Sequence, residues 1–195
     1  IEFKNLHPLT ETIIRSDNKE YFEKWKAGET GFTIADASMR ALKSTGWINF
    51  RMRAMLVSVA THHLNLPWQN VAGFLSQCFT DYEPGIHYSQ CQMQAGTTGI
   101  NAIRIYNPIK QAKDHDPTGL FIKKWIPELR EFPSEYVADP AEFPLIKCDY
   151  PTPIIDEKIA RKQAADRLYS LRKTSEFWSI SGEIVNKHAV KRKKN

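Results

Sequence analysis

The chain has 195 residues, of which 42% are hydrophobic and 25% charged, with 11 Pro and 9 Gly, enough to close one sizeable core or at most two small ones. No stretch is apolar and charge-free for long enough to cross a bilayer, so a membrane span is excluded, and Ile1 to Leu6 carry Glu2 and Lys4 rather than a basic, apolar and small-residue series, so no secretory leader is expected. The formal charge of +5 is uneven: from Lys158 to Asn195 there are eleven Lys and Arg against three Asp and Glu, which leaves +8 there and −3 before it.

Periodicity in chain order predicts helices and almost no strand. Asp17 is expected to cap a first helix carrying Tyr21, Phe22 and Trp25, with Gly28 closing it. Thr33 opens a second helix, whose stripe of Ile34, Ala37, Ala41 and Leu42 runs up to Thr45 and Gly46. Asn49 starts a longer helix through Leu64, with Met52, Met55, Leu56, Val59 and Ala60 as its apolar face; His62 and His63 are splayed and expected at the surface or the edge of the core. Pro67 stands where a first helical residue belongs for a helix from Trp68 to about Tyr82, and Pro84 does the same for one from Gly85 to Ala95. Glycine, threonine and asparagine punctuate residues 96–117, leaving loops and a short helix near 109–113, and Thr118 to Trp125 is helical again. Prolines at 127, 133, 140, 144, 151 and 153 make an extended surface connection. A helix from Asp156 to about Lys173, with Ile159, Ala160, Leu168 and Leu171 inward, and another over 177–187 complete an all-α domain. The domain is expected over 1–187, with a basic tail over 188–195.

The three cysteines, at 78, 91 and 148, form no CxxC pattern, which speaks for reduced thiols in a cytoplasmic setting and against a zinc ribbon. Glu83, His87 and Cys91 recur at i, i+4 and i+8, but Pro84 places Glu83 at a cap and no fourth ligand is evident, so no metal is expected. The tail, ending Lys191, Arg192, Lys193, Lys194, attracts polyanions, nucleic acid being the commonest in a cytosol; a frayed, solvated end is the alternative.

Four ordered segments carry more specific information: GETGFTIADASMR over 28–40, TGWINFRMR over 45–53, RIYNPIKQAKDHDPTGLFIKKWIPEL over 104–129 and DYPTPIIDEKIAR over 149–161. Together they resemble the C-terminal part of the flavin-binding domain of the photolyase and cryptochrome family, over about Tyr21 to Arg172. The resemblance implies an all-α helical bundle equivalent to the C-terminal half of that domain. The antenna domain of full-length members, the loop that holds the flavin phosphates, and an earlier helix whose Trp and Glu line the lesion pocket all belong to parts upstream of the matched segments. FAD is the implied cofactor, bound weakly or not at all by a chain with half the cradle.

The resemblance also implies residue roles. Arg53 and Asp81 fall on the ion pair beside the flavin ring, although a purely structural ion pair is equally compatible with the residues. Tyr82 and Glu83 follow Asp81, Glu83 replacing a second Asp of the family. His87 stands where repair enzymes usually have Asn facing the flavin, and a His there can exchange a proton near neutral pH. Of the family's three electron-carrying Trp only Trp68 has a counterpart, Arg15 and Cys91 replacing the others. Met93 replaces an aromatic that stacks on the lesion, and Phe50 replaces a lesion-contacting Asn. Four cysteines for an iron–sulfur cluster cannot be assembled from three.

Arg51, Arg104 and Gln111 match residues of the family's nucleic-acid face, and with Lys110 and Lys113 they can form a basic strip on which Phe50 and Tyr106 offer stacking surfaces. The alternative is a solvated charged face over core aromatics. The expected function is therefore a photolyase-like nucleic-acid-binding protein, favouring single-stranded or locally unpaired DNA or RNA. Light-driven, FAD-dependent DNA repair or flavin photoreception is the alternative, so lyase activity is implied only where FAD is bound. A third reading is a helical module whose open side takes a protein partner.

Overall fold

Local capping chemistry sets most of the helix boundaries. The computed structural model describes residues 3–188, and among them there are nine α-helices and no strand. In α1 (Lys19–Ala27) the cap is Asn18, whose side-chain oxygen accepts from the Tyr21 N–H at 3.0 Å, one residue after the expected Asp17; Gly28 closes the helix at φ 74°. Helix α2 (Thr33–Thr45) ends on Gly46 at φ 72°. Helix α3 (Phe50–Ser58) starts on Asn49, whose Oδ1 accepts from Met52 N–H at 3.0 Å.

Helix α3 runs on into a widened π-turn over Val59–His63, where Leu64 N–H reaches back five residues to the Val59 carbonyl at 3.0 Å. The wider turn carries His62 and His63 inward, to 1% and 5% exposure, rather than to the core edge that regular helical spacing predicts.

Helix α4 (Trp68–Cys78) stops four residues before the predicted Tyr82, because Phe79 is extended and the Thr80 N–H turns to the Gly46 carbonyl at 3.0 Å. Helix α5 (Pro84–Ala95) is capped by Glu83 and closed by Gly96. Helices α6 (Pro108–His115) and α7 (Leu120–Trp125) follow, then a proline-rich stretch holding single 3-10 turns at Pro127–Leu129 and Pro140–Glu142.

Helix α8 (Glu157–Leu171), capped by Asp156, buries Ala160, Ala164 and Leu168. Ile159 is 59% exposed instead of inward, since it lies about 100° around the helix from Ala160. Helix α9 (Ser175–His188) absorbs His188 from the expected tail; residues 189–195 lie outside the described residues. No helix of the described residues is long and apolar enough to cross a membrane. Cys78, Cys91 and Cys148 are free thiols.

Helix α2 is the centre of the packing, touching α1, α3, α6 and α7. Trp25, Ile34, Met39, Leu42, Met55, Leu56, Trp68 and Leu75 are among the largest side chains of the core. Its N-terminal turn is locked by Asp36, which is 1% exposed. The two Asp36 oxygens accept from Thr30 N–H (3.0 Å), Thr30 Oγ1 (2.6 Å), Gly31 N–H (2.9 Å) and the Tyr150 hydroxyl (2.5 Å). Burial pushes the Asp36 carboxyl up from its ordinary range, and these donors oppose that shift. Gly31, at φ 83°, lies against Pro153, whose backbone would be 2.4 Å from an added Cβ. Four residues along, Arg40 donates from Nη1 to both Glu128 oxygens at 2.9 Å and from Nε to the Gly28 carbonyl at 3.0 Å. Three of the sequence's recognisable segments are thus tied to one another through α2.

A second buried network sits behind α5. Arg15 caps two helix ends at once, donating to the Thr61 carbonyl and, at 3.3 Å, to that of Ala95, where the helix dipole favours a cation. Burial and the neighbouring Arg167 lower its pKa to about 10. His62 donates from Nε2 to the Gln94 carbonyl at 2.8 Å, while its buried Nδ1 has no partner, and Arg167 donates to the His62 carbonyl at 3.1 Å. Burial first, and then the Arg15 charge, lower the His62 pKa to about 3.

Candidate functional site

Glu83 fixes the start of α5 by accepting from Gly85 and Ile86 N–H at 3.1 and 2.6 Å. From there His87, Gln90, Cys91 and Gln94 fall at i, i+3, i+4 and i+7 and line one face. On α3, Phe50, Arg53, Ala54 and Val57 repeat the same spacing opposite them. Leu75, Phe79 and the 81–83 turn complete a cavity of about 190 Å³ between the two helices. All five residues singled out for a cofactor, Arg53, Asp81, Tyr82, Glu83 and His87, line it, and so does Phe50.

Arg53 is held on several sides. Nη2 bonds Asp81 at 2.8 Å, Nε bonds the Ile48 carbonyl at 2.9 Å, and the guanidinium lies over the Phe79 ring at 4.2 Å. The pair is not the dry one that its position under a ring suggests, for the Asp81 side chain is 51% exposed. The bond from Arg53 holds the Asp81 carboxyl below the usual carboxylate range.

His87 lies 2.9 Å by Nε2 from the Ala72 carbonyl, an obligate acceptor, so Nε2 carries the proton and Nδ1 is an acceptor. Burial lowers its pKa below the ordinary 6.5, with the Ala72 bond opposing and Arg53 adding. His87 is therefore neutral at pH 7, and its proton exchange moves to the acid side of the range expected from its type. The Cys91 sulfur lies 3.8 Å from His87 Nε2, and burial pushes that thiol up to about 12, which keeps it protonated. Glu83 and His87 are thus both engaged with backbone, and no cluster of three metal-ligating side chains occurs among the described residues.

Two further residues of this face, Gln90 and Gln94, carry no motif signal in the sequence. Oε1 of Gln90 and Nε2 of Gln94 are buried and without hydrogen-bond partners, one turn apart on the cavity face. Counting helical spacing onward from His87 is the signal that finds them.

A second, shallower groove of about 450 Å³ opens at the start of α6. Arg51, Arg104, Tyr106, Lys110 and Gln111 line it, as does Arg161 from α8. Arg51 and Arg104 enter no ion pair among the described residues, Lys110 pairs with Asp114 at 2.9 Å, and Arg161 pairs with Glu157 at 2.8 Å. Gln111 is mostly buried, and its Oε1 lacks a partner. Lys113 is not part of this groove: its charge acts on Asp139, on the proline-rich side. The groove and the cavity meet at the first turn of α3, where Phe50 faces the cavity and its neighbour Arg51 faces the groove.

The pattern of the FAD binding domain of DNA photolyase matches residues 1–170. The chain belongs to the photolyase and cryptochrome family. It is 36% identical over 160 residues to the deoxyribodipyrimidine photo-lyase of Alkalihalophilus pseudofirmus, covering 76% of this chain and 33% of that protein. Identity to the cryptochrome DASH of Gloeobacter violaceus is 33% over 147 residues, covering 70% and 29% of the two chains. A bacterial class III photolyase from Agrobacterium tumefaciens superposes with a TM-score of 0.82 at 28% identity, covering 89% of this chain and 38% of that one. An archaeal photolyase from Sulfolobus tokodaii, whose crystal structure holds two FAD molecules, gives a TM-score of 0.81 at 30% identity, covering 87% and 39%. The chain thus spans about a third of the length of the curated relatives it matches. The all-α fold is that of the photolyase flavin domain, and helix α9 lies beyond the residues that match the family pattern.

Of the residues that the resemblance sets against the family's tryptophans, Trp68 is buried and donates from Nε1 to Asn5 at 2.6 Å, Arg15 is the double helix cap, and Cys91 lines the cavity. Trp68 enters no ring-to-ring contact among the described residues.

Proposed function

We propose that this chain is a nucleic-acid-binding unit of a photolyase-family protein, taking single-stranded or locally unpaired DNA or RNA in the groove at the start of α6. The observation that supports it is the convergence of Arg51, Arg104, Lys110 and Arg161 around Tyr106, with Gln111 offering an unused polar atom. Cations neutralise phosphates while an aromatic face stacks on a base, and both interactions tolerate any sequence. The measurement is anisotropy of a labelled dT12 between 50 and 200 mM salt. The wild type binds with a strong inverse salt dependence, and R51Q/R104Q lowers the slope of log K against log salt by about 1.4, roughly 0.7 per cation removed. Absence of binding at low salt, or binding that salt does not weaken, sinks the reading.

A second reading, flavin-dependent repair of pyrimidine lesions by the protein to which this segment belongs, is favoured by the unpartnered amides of Gln90 and Gln94. A buried amide without a partner is costly, and a flat ring with carbonyl and N–H groups at its edge would satisfy both. The residues fit the flavin ring: apolar walls from Ala54, Val57 and Leu75, a cation at Arg53, and a neutral acceptor at His87 Nδ1. Bound FAD would supply light absorption and one-electron redox chemistry; Arg53, His87, Gln90 and Gln94 would hold it through their polar atoms. Replacing Gln94→Leu removes the orphaned amide, so the apo protein melts higher while FAD affinity, read by quenching of flavin fluorescence, falls about tenfold. A variant that binds FAD as the wild type does refutes the role of Gln94, and a wild type that quenches no FAD refutes the reading.

A further inference from the structure

Helix α8 joins the groove to a second feature that the family pattern does not reach. Successive residues turn by about 100° on a helix, so Lys158, Arg161, Lys162, Ala165, Tyr169, Arg172 and Lys173 fall within an arc of about 120° on one flank, Arg172 and Lys173 by continuing the helix path just past Leu171. Asp166 is at the edge of that arc, and the buried Ala160, Ala164 and Leu168 are on the inner side. The flank is exposed at Lys158, Arg161, Lys162, Tyr169 and Lys173. At its N-terminal end Arg161 is already a wall of the groove. At its C-terminal end a second groove of about 420 Å³, beside Asn101 and Asn186, is lined by Arg172 and Trp178.

Trp178 is built as a platform. Its Nε1 donates to the Arg172 carbonyl at 2.7 Å and its edge meets the Phe177 ring at 5.5 Å, while the side chain stays 55% exposed. Arg172 is itself fixed, by a 2.6 Å bond to the Asn101 carbonyl and by stacking over Phe177. A rigid indole at one end, a Tyr part-way along and cations between them are the elements from which sequence-tolerant single-strand sites are made.

We infer that α8 and the start of α9 form a second single-strand contact, continuing the strand from the groove along the α8 flank to Trp178. The inference rests on the groove reading above, and it sets the length of strand that the chain covers: the 15-residue α8 adds about 22 Å to the site. The occupant is single-stranded nucleic acid rather than a protein, because the flank pairs its aromatic residues with same-sign charge.

The test measures anisotropy of labelled dT4, dT8, dT12 and dT16 with the wild type at fixed salt, then of dT16 with W178A and with K158Q/K162Q. Affinity of the wild type rises steeply beyond the length that fills the groove. W178A weakens dT16 binding about tenfold, within the range for loss of one stacked base. K158Q/K162Q lowers the salt slope by about 1.4. All three changed side chains are solvent-facing, and unaltered melting curves confirm that the variants fold. A wild type that binds no oligonucleotide overturns the groove reading and this one with it. A wild type that binds dT16 no better than dT8, with W178A and K158Q/K162Q unchanged from it, overturns the α8 track alone and leaves the groove standing.

Discussion

Lowering the pH from 6.5 towards 3 is expected to strip about 4–5 kcal/mol of stability through His62 alone, at roughly 1.4 kcal/mol for each pH unit. The unfolded chain protonates this imidazole near its ordinary 6.5, whereas in the folded chain it titrates at about 3. A depressed folded pKa on a base means that the unfolded state binds the extra proton throughout that window. The contribution is complete above pH 6.5 and lost as pH falls towards 3. The cause is geometric: Nε2–H is committed to the Gln94 carbonyl, Nδ1 is buried without a partner, and Arg15 and Arg167 are close enough to repel a third positive charge. Urea midpoints measured at half-unit intervals from pH 7 to about 5.5, above the range where ordinary carboxylates titrate, show the slope. His62→Gln removes most of it, and a variant that keeps the wild-type slope assigns the acid sensitivity elsewhere. His87 adds a smaller contribution of the same sign.

The largest single-residue effect on stability is expected at Asp36. Asp36→Ala leaves two backbone N–H groups, the Thr30 hydroxyl and the Tyr150 hydroxyl without their shared acceptor inside the core. Each orphaned buried donor costs about 1–3 kcal/mol, and partial relaxation makes a total of about 4–5 kcal/mol reasonable. The variant populates an unfolded state at 37 °C, seen as a melting transition lowered by roughly 10–20 °C. Tyr150→Phe removes one donor and its acceptor load together, and costs only about 1 kcal/mol. Equal destabilisation by D36A and Y150F contradicts the view of Asp36 as a hub with several dependants.

Much of this architecture is legible in the sequence because it is local. Gly28, Gly46 and Gly96 end helices where a left-handed residue is needed, and Asn49 and Asp156 cap them where their side chains can reach the third N–H along. What the sequence hides depends on partners far along the chain. The early end of α4 is dictated by the Gly46 carbonyl, which captures Thr80 N–H from 34 residues away. The inward turn of His62 and His63 depends on a π-turn, for which residue type carries no strong signal. Arg53, Asp81, Tyr82, Glu83 and His87 line one cavity, a grouping that follows from the motif resemblance and not from their spacing. Lys113 falls outside the groove because it lies two residues, and so about 160° around the helix, from Gln111, on the side that faces Asp139. Gln90 and Gln94 went unread for the opposite reason: a glutamine on a helix is unremarkable until its neighbours leave it without a partner.

The Asp36–Tyr150 bond also has a bearing on how the chain is made. Its partners are 114 residues apart, and at ribosomal rates of about 5–20 residues per second the second emerges roughly 6–23 s after the first. Throughout that interval Asp36 has only its local donors from Thr30 and Gly31, and the place of the Tyr150 hydroxyl is left to water. Closure over the start of helix α2 therefore waits for the proline-rich strap, and α8 and α9, which emerge later still, pack only after it.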